Sequence, residues 1–146
     1  MARYCTKRIH GSLKMSFYSE LIDNIAQAAE ATEPYASIVY GSDPPYNGIC
    51  MIPTGVGPAD THFDKGMRYD LPVVLNGKNA DQQVLLDDLT RIHEALTRRT
   101  DYSDISTEAC QVIDISTSAL PSIIGREQNK QWICGSSLNV KFYWRK

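Results

Sequence analysis

Apolar side chains recur three to four positions apart from Ser16 to about Thr32. Phe17, Leu21, Ile25 and Ala28 make one stripe, which Ile22 and Ala29 widen. That spacing predicts an amphipathic helix. Ser16 is placed to cap its first turn, with Glu20 near the positive end of the dipole. Pro34 sets the limit, because a residue before proline is pushed out of the helical region. After it come a short β-branched run, Ile38 to Tyr40, and a turn-rich stretch, "GSDPPYNG". "ICMIP" then predicts a strand ending at Pro53, and "TGVGPADTHFDKG" (54–66) predicts a mobile loop.

The period then changes from helical to alternating. In "MRYDLPVVL", Met67, Tyr69, Leu71, Val73 and Leu75 share one face, and Pro72 places the strand at an edge or a bulge. Asn76-Gly77 predicts a turn. A second helix is expected over about 80–98, capped by Asn79 with Gln82 reaching back. Its stripe is Leu85, Leu89, Ile92 and Leu96. Its other face carries Asp87 and Asp88, with Asp87–Arg91 and Glu94–Arg98 at favoured i,i+4 spacing, so it reads as a solvated acidic back. "EACQVIDIST" predicts a strand with Ala109, Gln111, Ile113 and Ile115 opposite Cys110, Val112 and Asp114. "SALPSIIGREQNK" reads as a loop. "QWICGSSLNVKFYWRK" alternates about Gly135, as one bent strand or as a hairpin.

Two helices among several strands, without regular strand–helix alternation, predict an α+β fold: two main helices packed on a mostly antiparallel or mixed sheet. With 146 residues, 42% of them hydrophobic and 22% charged, the chain fits one globular domain, 15–146. No window approaches the roughly 18 apolar residues of a membrane helix, so no membrane partner is expected. The net charge of -2 conceals an asymmetry. Residues 1–14 hold Arg3, Lys7, Arg8 and Lys14 and no acid, and they read as a disordered extension or tag rather than a secretion signal. The rest carries 11 basic against 17 acidic side chains. An acidic body opposes sequence-independent grip on duplex DNA, and that weakens the alternative of a basic DNA-binding arm.

Candidate chemistry is sparse. His62 and Asp64, in the glycine-rich loop, are the one local pair read as plausible metal ligands, and two ligands on a loop do not make a site. Cys5, Cys50, Cys110 and Cys134 form no CxxC pair, and the last three fall in apolar strand-like runs, as buried thiols in a reducing compartment do. Neither Cys110 nor Cys134 stands at a helix start that would lower its pKa, although either could meet His93 in space. His93 itself is expected at the helix–sheet boundary with one nitrogen hydrogen-bonded. "GVG" precedes a strand, not a helix, so it builds no anion cradle. No cofactor and no enzyme activity are predicted. In "FYWRK", bases sit beside rings as on a stacking platform, but alternation splits the rings between two faces. What remains is shape: strands whose open edges are templates for another chain, and a two-surface contact between copies that closes into a ring.

Several stretches together carry a resemblance: "FYSELIDNIAQ", "YGSDPPYNGICMIPTGVGPADTHFDKG", "YDLPVVLNGKNADQQVLLDDLTRIHEAL" and "ISTSALPSIIGREQNKQW". From Met15 to Trp144 the sequence resembles the tailed-phage tail terminator and minor capsid family, the proteins that cap the tail tube and join it to the head. The resemblance implies a tail-terminator-like α+β virion protein at the head–tail junction, made in the bacterial cytoplasm. It implies a hexameric ring between tail-tube protein and a head-side connector, with DNA passing through the lumen without sequence-specific binding. No catalytic residues carry over. The candidate interface residues are His62, Phe63, Asp64 and Lys65 in the glycine-rich loop, with Arg68, Asp81, Asp87, Asp88, Glu94 and Arg126. A head-completion connector of the same build is the alternative within the joint. A small cytosolic cysteine hydrolase using Cys110 or Cys134 with His93 is the alternative outside it.

Overall fold

The structure, a computed structural model, describes residues 16–55, 57–61 and 67–144. In chain order the elements are α1 (Phe17–Glu30), β1 (Ile38–Tyr40), β2 (Ile49–Pro53), β3 (Gly57–Thr61), β4 (Met67–Asn79), α2 (Gln82–Thr97), β5 (Cys110–Arg126) and β6 (Trp132–Trp144). The sheet runs β1-β2-β4-β6-β5, with β3 also paired to β4. β1 and β2 are parallel and every other pair is antiparallel. This is an α+β fold, with two helices among the described residues on an open, mixed sheet.

Both helices form where the stripes place them. Ser16 Oγ accepts the Ser19 N–H at 3.1 Å to cap α1. Leu21, Ile25, Leu85, Leu89, Ile92 and Leu96 are wholly buried against Leu71, Val73, Leu75, Leu138, Val140 and Phe142 from the sheet. Burying each such side chain contributes about 1.5–3 kcal/mol before the entropy of ordering it. Asn79 does not cap α2, because it is the last residue of β4, opposite Trp132. Asp81 caps instead, accepting the Gln83 and Val84 N–H groups, while Asn79 Oδ1 receives the Asp81 N–H at 2.8 Å.

The strands differ more from the sequence pattern. Part of the expected 54–66 loop is β3; residues 56 and 62–66, including His62, Phe63, Asp64 and Lys65, lie outside the described residues, as do residues 1–15. The expected Asn76-Gly77 turn is strand: Asn76 pairs with Cys50 on one side and Gly135 on the other. Gly77 serves a close approach, since a Cβ there would stand 2.9 Å from both Tyr35 Oη and Leu85 Cδ1. Pro72 sits in a central strand, not at an edge. Its carbonyl accepts the Thr54 N–H, so its missing donor faces the break where β2 ends and β3 begins.

The expected 118–130 loop is also largely strand, since β5 continues to Arg126. The irregularity lies in β5 and not in β6. β6 pairs with β4 without a break, whereas the β5 register shifts four times, first between Val112 and Asp114. That first bulge re-phases the burial. Cys110, Val112 and Ile115 point inward, and Ile113 is left exposed.

Candidate functional site

Among the described residues, the β1 margin of the sheet is managed and most of the β5 margin is open. At β1, the Ile38 N–H donates to Glu30 Oε2 at 2.8 Å, so a helix side chain occupies that margin. The first residues of β5 are covered in a similar way. Thr107 and Cys110 exchange backbone hydrogen bonds at 2.7 and 3.3 Å, and Ser106 Oγ accepts the Val112 N–H at 2.9 Å. Beyond Ile115 the cover stops. Among the described residues β6 is the only strand paired with β5, and no loop or side chain hydrogen-bonds the outer backbone of 116–125.

This open stretch is also apolar and uncharged. Leu120 is 67% and Ile124 66% exposed, and no charged residue lies between Asp114 and Arg126. Two large aliphatic side chains in water beside unpaired strand backbone are what an edge adds to another chain. The sequence reading missed both, because it placed them in a loop; the uncharged run 115–125 was the available signal.

The far end of this margin is fixed by a polar clamp that the sequence does not suggest. Lys78, only 8% exposed, puts Nζ 2.8 Å from Glu127 Oε2 and 3.0 Å from Asp43 Oδ1. Hydrogen bonds to Glu127, then Asp43, hold its pKa above the ordinary lysine value. Gln131, wholly buried, accepts the Asn47 N–H at 2.8 Å and donates to Asn47 Oδ1 at 2.9 Å. The β5–β6 turn is thereby tied to the 41–48 loop across the sheet. A rigid turn holds the open margin of β5 in place.

The remaining candidates do not converge. Asp81, Asp87 and Glu94 are exposed along α2, but Asp81 is engaged as the cap and Asp87 accepts from Gln83 Nε2 at 2.9 Å. Asp88 is not part of a solvated face; it is buried, 2.7 Å from Arg91 Nη2 and 2.8 Å from the Tyr35 N–H. The expected Asp87–Arg91 pair is replaced by this i,i+3 pair, because Arg91 turns toward the buried acid and the Thr32 carbonyl. Glu94 and Arg98 meet only through the Arg98 N–H and the Glu94 carbonyl, at 2.9 Å. Arg126 lies over the Trp132 ring at 4.9 Å, at the end of β5. Arg68, opposite Tyr143, is at the other end of the sheet.

Burial pushes the Cys110 thiol up to about 12 and the Cys134 and Cys50 thiols up to about 11, so all three stay protonated near neutrality. All three are free and buried. His93 Nε2 lies 2.8 Å from Thr117 Oγ1 on β5, and burial lowers its pKa. Among the described residues no three His, Cys, Asp or Glu side chains are grouped to hold a metal ion, and no helix is long and apolar enough to cross a membrane. No family model matches the chain, and no curated protein matches it.

Proposed function

We propose that this chain is a structural virion protein that caps the tail tube of a tailed phage and joins tail to head. It would work at the head–tail junction as a closed ring, six copies by the resemblance, around a lumen that passes DNA. The observation that carries this reading is the uncovered β5 margin with Leu120 and Ile124 in solvent, a surface suited to another protein chain rather than to a small substrate. The acidic balance beyond residue 14 supports it further, since a channel that must release DNA is better without a basic lining. Tail-tube protein on one ring face and a connector protein on the other are the proposed partners, and no catalytic step is assigned.

The test is imaging by negative stain with mass measurement over a concentration series, with and without tail-tube protein. Monomers or weak oligomers at low concentration should give rings when crowded or when tube protein is supplied. A chain that forms rings but never caps tubes, and instead binds the head-side connector alone, would belong to the head-completion class. A chain that does neither has another role.

A further inference from the structure

Among the described residues, β5 over 116–125 and β3 each pair on one side only, with β6 and β4 respectively, and these two margins are complementary in direction. β3 is antiparallel to β4, β4 to β6, and β6 to β5, so β5 runs with β4 and β3 runs against both. A second copy moved sideways across the sheet, without being turned over, therefore brings its β3 antiparallel to β5 of the first. The margin of β1 does not offer the same contact, because Glu30 occupies the Ile38 N–H.

We infer that the contact between copies is head-to-tail strand addition, with the uncovered β5 margin at 116–125 receiving β3 (Gly57–Thr61) of the next copy. The inference rests on the assembly reading above and names the surfaces that reading leaves open. Three observations favour a second copy as the occupant. The receiving stretch is uncharged from 115 to 125, so two acidic bodies can approach there without opposing charges. It carries Leu120 and Ile124, two of the most exposed large hydrophobic side chains among the described residues. The two margins are also different surfaces on opposite sides of the sheet, and a contact of that kind repeats from copy to copy and closes when the rotation fits.

Their positions constrain the ring. β3 lies opposite Met67–Asp70, at one end of β4, while 116–125 lies level with Pro72–Lys78 at the other end. The offset is about 20 Å along the strands at ~3.3 Å per residue, against a step of about 19 Å across four strands. A level ring then needs strands inclined roughly 45° to its axis, at the upper end of the tilt that closes sheets. The bulges between Thr117 and Ser122 and the absent N–H of Pro121 limit the pairing to a short segment, which suits a five-residue partner strand.

The experiment is cysteine cross-linking of full-length protein under assembly conditions. Asp60→Cys alone and Ser122→Cys alone should each stay uncross-linked. Their mixture should give a covalent dimer, and the double variant a ladder that ends at a closed species. In wild-type protein, amides of 57–61 and 116–125 should gain hydrogen-exchange protection together as concentration rises, a readout that needs no variant to fold. Dimerisation of Ser122→Cys with itself would overturn the inference in favour of two-fold β5 pairing. Rings that form without the mixed cross-link and without joint protection would overturn it and leave the assembly reading standing. Rings that show both but ignore tube protein would leave it standing and remove the tube-capping role. A protein that stays monomeric at every concentration overturns it outright.

Discussion

The Asp88 carboxylate on α2 accepts the backbone N–H of Tyr35, 2.8 Å away and 53 residues earlier in the chain. The same carboxylate holds Arg91, so one buried acid fastens the segment after α1 to the second helix. Asp88→Ala should destabilise the fold by about 1–3 kcal/mol, the usual cost of leaving a buried donor unmet. Asp88→Asn, which keeps an acceptor for Tyr35, should lose less. Urea unfolding with both variants checks this; equal midpoints for wild type and Asp88→Ala would refute it.

Lys78 makes a prediction at alkaline pH. Its folded pKa is raised above 10.5 by Glu127 and Asp43, so its contribution is complete below the unfolded value and is lost as pH rises through the folded one. Lys78→Met should lower stability near neutrality by up to about 1 kcal/mol, because the Asp43 carboxylate is largely exposed and solvent screens the pair. Above pH ~10.5 the gap to wild type should close. Tyr35 and Tyr102, both raised by burial, give an alkaline slope common to both proteins, so the difference between the two curves isolates Lys78.

These two residues also show where the sequence was legible. The stripes of α1 and α2 predicted which residues would be buried because a helix repeats its face regularly, and Leu85 through Leu96 follow that repeat. Asp88 lies beside Leu89, yet the pattern assigned it to water; its partner is a backbone N–H far away in sequence. Asn76-Gly77 has the local chemistry of a turn, but pairing on both sides and the close packing of Tyr35 on Gly77 override it. β5 was half lost because each bulge shifts the alternation by one residue, so Leu120 and Ile124 fell out of phase with any strand pattern. The open margin was therefore the least readable part of the candidate site.

His93 predicts the opposite pH dependence. Burial depresses its pKa below 6.5, so the neutral ring's contribution is complete above 6.5 and is lost as pH falls through the folded value. Stability measured by denaturant midpoint should decline below pH 6.5, before most carboxylates titrate. In His93→Leu that early decline should vanish, leaving only the loss at lower pH. An unchanged profile would mean that the ring titrates as freely in the fold as outside it.

Thiol chemistry bears on the hydrolase alternative. With Cys50, Cys110 and Cys134 buried and their pKa values raised, none should be labelled by an aromatic disulfide reagent in folded protein at pH 7.5 on a timescale of minutes. All three should react once urea unfolds the chain. Peptide mass mapping identifies the sites. Rapid labelling of Cys110 or Cys134 in the folded state would revive a nucleophile paired with His93.

Three glycines separate close packing from edge geometry. At Gly77 a Cβ would stand 2.9 Å from Tyr35 Oη, and that hydroxyl is pinned, donating to the Gly48 carbonyl at 2.9 Å and lying 3.0 Å from the Lys78 carbonyl. Neither Tyr35 nor the buried Leu85 can retreat without breaking those bonds or the core, so Gly77→Ala should cost about 1–3 kcal/mol, as overpacking does. At Gly135 the nearest atoms are Asn76 Oδ1 and Ile124 Cδ1, both 2.8 Å away. These are tips of side chains, and Ile124 is free to swing toward solvent, so Gly135→Ala should cost clearly less. At Gly125, on β5, nothing lies within 4 Å, and alanine should be neutral or slightly stabilising through the unfolded chain. Thermal melts of the three variants should therefore rank Gly77→Ala well below Gly135→Ala, with Gly125→Ala at or above wild type. A reversed order would mean that the Tyr35 hydroxyl is not held between the 48 and 78 carbonyls, and that the approach of α2 to β4 is looser than the packing of Leu85 implies.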